Sequence, residues 1–279
     1  MNSEITFLIP VYNAERYLPQ CVNSILEQTD GRWKAIFVDD GSTDSSAEIL
    51  SKILDPRVKV FTQSNSGPSA ARALALKNAE TDYVVFLDAD DYLSPEMVGT
   101  VLSKSAGEDI IVYNSQKIKQ GEPGSLVVDP VIMDPAKYSD AIFTRKAHGC
   151  LWNKCIKRSL FGQDIMFPRY AYGEDRVLCI QLANKAKSLV FIGKVLHYYR
   201  KDNPSGLTKS GRRGRKVMEA KNHLDLGRFT EEAKYTEKGA WIATLYGIDA
   251  LKDYREDIKK CGWIKTLPAR IYLSLTERS

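Results

Sequence analysis

Three acidic groups in this chain of 279 residues have types and spacings suited to chemistry. Asp88-Ala89-Asp90-Asp91 directly follows the apolar run Val84-Val85-Phe86-Leu87. Residues two apart in extended backbone point the same way, so Asp88 and Asp90 can face one site together. Converging carboxylates suit a hard divalent cation, Mg²⁺ or Mn²⁺, with water and substrate phosphates completing the shell. Asp39-Asp40 precede a glycine turn and a helix start at Gly41-Ser42-Thr43-Asp44. Turn formation and capping account for Gly41, Ser42 and Asp44, but not for two adjacent acids ahead of them. A carboxylate there can accept hydrogen bonds from a pyrimidine ring N–H or a ribose hydroxyl. Glu174-Asp175 follow Tyr172-Gly173 at the start of a helix, a position that stabilises a charged carboxylate. That position fits either a general base or ordinary acidity at a helix start.

The elements that must position these groups alternate. Short apolar runs at 5–9, 35–38, 58–62, 83–87 and 109–113 read as strands. Amphipathic or alanine-rich stretches at 15–28, 45–54 and 68–79, and a further one opened by Ser94-Pro95-Glu96, read as helices. Continuous apolar strands alternating with helices predict an α/β domain with a mainly parallel sheet covered on both faces. Ligands of such sheets bind beyond the carboxyl ends of the strands. Asp39-Asp40, Gln63–Gly67 and Asp88–Asp91 all fall at those ends. After Gln120 the pattern loosens: residues 121–125 read as a turn or hairpin loop, 175–186 as a helix and 189–192 as a short strand.

Composition narrows the class. The chain is 43% hydrophobic and 27% charged with a net charge of +5, which is ordinary for a globular protein. No apolar run approaches the roughly 20 residues needed to cross a bilayer. Glu4 and the short, proline-interrupted stretch 5–11 do not make a signal peptide, so a cytoplasmic protein is expected. Five scattered cysteines without a CxxC pair suggest reduced thiols rather than a disulfide or zinc framework.

Seven motifs then carry a resemblance: Pro10-Val-Tyr12-Asn13, Val38–Asp44, Asn65-Ser-Gly67 with Ala71-Arg72, Phe86–Asp91, Leu151-Trp152-Asn153-Lys154, Gly173-Glu174-Asp175 and Tyr198-Tyr-Arg200. In this order and spacing the chain resembles family 2 glycosyltransferases of the small bacterial polysaccharide-building type, closely over 4–115 and more thinly beyond. The resemblance implies a GT-A fold in residues 1–208, with a nucleotide-sugar half (1–115) and an acceptor half (116–208). It implies metal-dependent, inverting transfer from a nucleotide sugar, a UDP-sugar in the first instance, to a saccharide or lipid-linked saccharide. Pro10, Tyr12 and Asp40 would line the base pocket beside Asn13 and Asp39, with Tyr12 stacking on the base. Asn65 and Arg72 would meet the uridine and diphosphate. Asp88 would hold the ribose and Asp90 the metal, with Asp88, Asp91 and His197 as further candidate ligands and Ala89 between the acids. Arg200, with Lys154, would offset diphosphate charge. Trp152, Asn153 and Glu174 would bind the acceptor, and Asp175 would be the base. Ala73 and Ala75 depart from the family pattern, which has Asn and Gly at these places.

Residues 209–279 match no such motif and read as a basic, mostly helical extension. Lys209, Arg212, Arg213, Arg215 and Lys216 cluster at its start, and aromatic and basic residues interleave over 257–279. That mixture suits a peripheral contact with the inner face of the cell membrane. The acids gathered at the strand ends argue against nucleic acid as the ligand. A sugar nucleotidyltransferase would carry a glycine-rich basic loop where Pro10–Asn13 stands, a dinucleotide oxidoreductase would carry GxGxxG there, and a non-catalytic scaffold of the same fold would not need Asp40, Asp88, Asp90 and Asp175 intact.

Overall fold

The structure, a computed structural model, describes residues 3–203, 218–219 and 221–222. It divides into two compact units: residues up to 167 together with those from 178 to 204, and residues 168–177 together with the chain from 205 onward.

In the first unit, β1 (Ile5–Val11), β2 (Trp33–Asp39), β3 (Val58–Thr62) and β4 (Tyr83–Phe86) pair in parallel in the spatial order β3-β2-β1-β4. Between them run α1 (Leu18–Leu26), α2 (Ser46–Ser51) and α3 (Pro68–Lys77). Side-chain alternation sorts the strands onto two apolar layers. Ile5, Phe7, Ile9, Ala35, Phe37 and Val85 pack with Leu18, Val22 and Ile25 of α1 on one face. Leu8, Ile36, Val38, Val84 and Phe86 pack with Ala71 and Ala75 of α3 on the other. Each large side chain so buried contributes about 1.5–3 kcal/mol. Proline in the first turn marks the start of both α1 and α3, where its missing N–H is not needed.

Beyond β4 the sheet becomes mixed. β5 (Tyr92–Leu93), α4 (Met97–Lys104), β6 (Ile110–Lys119), β7 (Glu122–Val127), α5 (Pro135–Phe143), β8 (Lys154–Lys157), α6 (Glu174–Lys185) and β9 (Leu189–Arg200) follow in the chain. The sheet continues β4-β8-β6-β9-β5, with β7 hairpinned onto β6. β8 runs antiparallel to β4 and β6, while β6 and β9 are parallel. Two expectations change here. The segment 121–125 is not a loop: Gln120 and Gly121 both have positive φ and make a tight two-residue turn, which frees Glu122–Val127 to pair as a strand. Pro123 is tolerated there because its strand lies off the main sheet path. The strand expected at 189–192 extends to Arg200 through register shifts opposite Asn114, and so carries His197 and Arg200 to the sheet's end.

The expected helical extension from Lys209, its basic cluster and the 257–279 segment lie outside the described residues, apart from helical residues 218–219 and 221–222. Among the described residues no helix is long and apolar enough to cross a membrane. Cys21, Cys150, Cys155 and Cys179 are free thiols.

One buried polar network ties α5 to β8. Asp129 accepts hydrogen bonds from Tyr138 Oη (2.6 Å), Asn153 Nδ2 (3.2 Å) and the His148 backbone N–H (2.6 Å), and lies 2.8 Å from His148 Nδ1. Lys154 Nζ donates to the carbonyls of His148 (3.0 Å) and Cys150 (2.8 Å) and to Asn153 Oδ1 (2.7 Å). Burial opposes ionisation of Asp129, but the His148 hydrogen bonds, the Lys154 charge and the Tyr138 hydroxyl hold it well below the usual carboxylate range. Removing one partner strands the rest, so Asp129→Ala is expected to cost about 3–5 kcal/mol of unfolding free energy by urea titration. A loss under about 1 kcal/mol would show that the network does not support the fold. Because this carboxyl titrates lower folded than unfolded, its stabilisation is present above an unfolded pKa of about 3.9 and is lost as pH falls below it. The unaltered protein should therefore lose stability more steeply than Asp129→Ala over that acid range.

Candidate functional site

The parallel strands deliver their polar ends to one edge. At the end of β1, Tyr12 is 50% exposed, a large ring left open at the carboxyl edge of the sheet. Asn13 adopts a positive φ of 47°, which asparagine tolerates better than most residues. Its Oδ1 accepts from the Thr43 N–H (2.8 Å) and its own N–H donates to Ser42 Oγ (3.1 Å), so Asn13 staples the β1 end to the turn after β2. Asp44 accepts from the Glu15 N–H (3.0 Å), and Ser46 Oγ accepts from the Ala14 N–H (2.9 Å). The Ser-Thr-Asp part of the motif thus joins the starts of two helical segments.

Asp39 Oδ1 accepts from the Ser42 N–H (3.0 Å) and closes the turn at Gly41. Gly41 has φ of 73°, and a Cβ there would sit 3.0 Å from the Asn65 nitrogen, so only glycine lets this turn approach the next loop. Asp40, expected at the base pocket, is engaged with the loop after β3. It is 3% exposed, and its oxygens accept from Gln63 Nε2 (2.7 Å) and the N–H groups of Ser66 (2.8 Å) and Gly67 (2.8 Å). Those bonds use most of a carboxylate's acceptor capacity. Asp40 holds the loop that presents the exposed Asn65 and leads into α3. From α3, buried Arg72 reaches Asp88 Oδ1 at 2.9 Å.

Three carboxylates crowd the turn after β4. Asp88 is partly exposed beside Arg72, and Asp90 Oδ2 accepts from Asn203 Nδ2 (2.8 Å). Burial, then the charges of Asp91 and Asp88, push the Asp90 pKa up to about 7. Arg200 binds the turn from β9: its N–H donates to Asp91 Oδ1 (2.7 Å), its Nε to the Asp90 carbonyl (2.9 Å) and its Nη2 to Gln20 Oε1. Its guanidinium also lies 4.7 Å from the centre of the Tyr17 ring. The arginine expected to meet a diphosphate is therefore first a clamp on the acidic turn. Asn203, three residues past the last recognisable motif, gave no signal in the sequence.

Asp91 and His197, both expected among the metal ligands, lie against each other. Both are buried, with His197 Nε2 3.2 Å from Asp91 Oδ2 and Nδ1 3.2 Å from Ser115 Oγ. Burial pushes the His197 pKa down to about 3 and that of Asp91 well up, which favours the neutral forms of both groups. The half-buried Trp152 stacks on His197 (4.7 Å between centroids) and on Tyr199 (5.2 Å), so its ring lies along β9. Asn153, expected at the acceptor, and Lys154, expected near the diphosphate, are both buried in the Asp129 network.

In the second unit, Glu174 is buried and Asp175 half-buried at the start of α6. The preceding segment is fastened by residues far along the chain. Asn222 donates from Nδ2 to the carbonyls of Tyr170 (2.9 Å) and Tyr172 (3.0 Å), and its Oδ1 accepts from the Tyr170 N–H (3.1 Å). Glu219 Oε1 lies 3.2 Å from Arg176 Nε. At Gly173 (φ 79°) a Cβ would fall 2.8 Å from Glu219 Cγ, so the glycine of the motif admits this second helix.

Among the described residues no three His, Cys, Asp or Glu side chains form a ready metal cage. The donor set still fits a cation such as Mg²⁺, which is commonly held by one or two carboxylates plus substrate phosphates.

The sequence profile of Glycosyl transferase family 2 matches residues 6–161. Glycosyltransferase GlyA of Streptococcus pneumoniae serotype 4 is 31% identical over 215 residues, which is 72% of this chain but only 31% of GlyA. The chain thus spans about a third of that relative's length. In fold it is similar to S. aureus TarS 1–349 in complex with UDP-GlcNAc, with a TM-score of 0.67 at 21% identity, covering 96% of this chain and 82% of that one. It is also similar to the mannosyltransferase PcManGT from Pyrobaculum calidifontis in complex with GDP-Man and Mn²⁺, with a TM-score of 0.55 at 16% identity, covering 98% and 83%. The fold is GT-A, and the chain belongs to glycosyl transferase family 2.

Proposed function

We propose that this chain transfers a hexosyl or N-acetylhexosaminyl group from a UDP-sugar to a glycan or lipid-linked saccharide, with inversion, in cell-surface polysaccharide synthesis. The observation that carries the reading is the acidic turn Asp88–Asp91 at the carboxyl edge of the parallel strands, in a family 2 chain. Within it, burial first and then the charges of Asp91 and Asp88 push the half-buried Asp90 carboxyl up to about 7. The mannosyltransferase neighbour's complex with Mn²⁺ is consistent with a cation at such a turn.

The exposed Tyr12 ring offers a stacking face to the base. Asn65, presented by the Asp40-held loop, reaches the nucleoside. Asp88, set by Arg72, accepts from ribose hydroxyls. Asp90 and Asp88 would hold a divalent cation, Mg²⁺ or Mn²⁺, which would supply Lewis-acid stabilisation of the diphosphate. Asp175 takes the proton from the acceptor hydroxyl as that oxygen attacks the anomeric carbon. The carbon–oxygen bond to the β-phosphate breaks, and the diphosphate leaves with the bonding pair from the opposite face. Glu174 orients the acceptor, and Trp152 supplies an apolar wall. Asp91 and His197 brace the turn from behind. The chain works in the cytoplasm, with its basic C-terminal extension resting on the inner face of the membrane where a lipid-linked acceptor is presented.

A screen of UDP-sugars against saccharide acceptors, with UDP release, product mass and anomeric configuration read together, tests this. One donor should give an inverted product. Asp175→Asn should then lower kcat by about 10²–10⁴-fold with donor KM little changed, as loss of a general base requires. A retained anomeric configuration, or full activity in Asp175→Asn, would overturn the base assignment. No UDP release from any donor would favour a scaffold of the same fold.

Asn222 fastens the segment before Glu174-Asp175 by three hydrogen bonds without being a reacting group. Asn222→Ala is expected to lower kcat by about tenfold or more, with binding of UDP unchanged. Unaltered kcat would show that this fastening does not position Asp175.

A further inference from the structure

A cleft opens in the first unit, bordered by α1, β5, the β6–β7 hairpin and β9, with a volume of about 830 Å³. That lies within the range of about 300–1,000 Å³ usual for ligand clefts. One bank is a single face of α1, where Gln20, Asn23, Ser24 and Glu27 follow at helical spacing, opposite the buried row Leu18, Val22 and Ile25. The other bank carries Gln116 and Ile118 of β6 and Pro123 of β7. The floor between them includes Leu93, Val195 and the cross-strand pair Tyr92 and Tyr198, whose rings stack at 4.7 Å between centroids.

The charge pattern restricts the ligand. The chain has 40 lysines and arginines, yet none is among the described residues lining this cleft, and its one formal charge is Glu27. Phosphates, nucleic acid and an anionic membrane surface are thereby disfavoured. Asn23, Glu27 and the phenols of Tyr92 and Tyr198 line an apolar floor with polar groups. Beside them stand Gln20, Gln116 and Ser24, whose side chains also bond Arg200, the Gly124 carbonyl and the Cys21 carbonyl. That combination matches a polyhydroxylated ring, whose edges carry hydroxyls and whose faces carry C–H groups. One end of the cleft touches the donor-side turn: Gln20 accepts from Arg200, and Tyr92 follows Asp91 directly.

We propose that this cleft binds a stretch of neutral oligosaccharide, the part of the acceptor chain remote from the hydroxyl that reacts. The identification of that chain as acceptor rests on the transfer reading above, whereas the sugar-binding chemistry of the cleft does not. The probes are neutral tetrasaccharides of glucose, galactose and N-acetylglucosamine, with tetragalacturonate as the anionic comparison. They are titrated into the full chain by saturation-transfer NMR while UDP binding is measured in parallel.

At least one neutral tetrasaccharide should bind saturably and ahead of tetragalacturonate. The double variant Asn23→Ala, Gln116→Ala should weaken it by about tenfold or more with UDP binding unchanged. Asn23→Ala alone, at an exposed helix position that the fold does not need, should weaken it by a smaller factor. UDP binding without saturable binding of any neutral tetrasaccharide overturns the cleft and leaves the donor reading standing. Equal binding by the unaltered chain and both variants, or a preference for the anionic probe, also overturns it. Tetrasaccharide binding that follows the variants in a chain that does not bind UDP supports the cleft and contradicts the transfer reading.

Discussion

Like charges brought together under partial burial repel, and the turn after β4 brings together three carboxylates in four residues. Each is handled differently. Asp88 has the Arg72 guanidinium at 2.9 Å, and Asp91 takes the Arg200 backbone N–H and the His197 ring. Asp90 accepts from the Asn203 amide, and its pKa is pushed to about 7. Carboxylates gathered in this way are the donor type that a hard divalent cation would take. The rest of the first unit can be understood as the support that keeps this turn from relaxing.

That support has two sides. The parallel strands β1, β2 and β4 align their ends, and the loops between them are tied by side chains: Asn13 to Thr43, Asp39 to Ser42, Asp40 to Ser66 and Gly67. From the mixed half of the sheet, β9 reaches back beside β5 and applies Arg200 to the acidic turn. Trp152, lying along His197 and Tyr199, backs that strand. Glu174 and Asp175 sit in the second unit, where Glu219 and Asn222 hold the segment ahead of them.

The parallel half was legible because its strands are buried on both faces and read as unbroken apolar runs, with polar clusters at their ends. The acidic turn and Asn65 lie at the carboxyl ends of strands, as the alternating pattern predicts. Other features were not legible, for reasons that lie in partners rather than residue types. Asp40 looks like a ligand carboxylate until the loop donors that occupy it are known. Asn153 and Lys154 carry polar groups suited to a ligand, yet a single buried acid, Asp129, draws them inward. The two-residue β5 is too short for any periodicity, and the full reach of β9 depends on register shifts that no pattern announces. His197 has the right chemistry for a metal ligand, but burial against Trp152 and Asp91 gives it a different part.

Calorimetric titration of UDP into the unaltered chain, with Mn²⁺ present and after chelation, tests the central claim about the acidic turn most directly. The charge argument predicts markedly tighter UDP binding with Mn²⁺, by about tenfold or more, and loss of that gain in Asp90→Ala. UDP affinity that is the same with and without the cation, or a gain that survives Asp90→Ala, would contradict it.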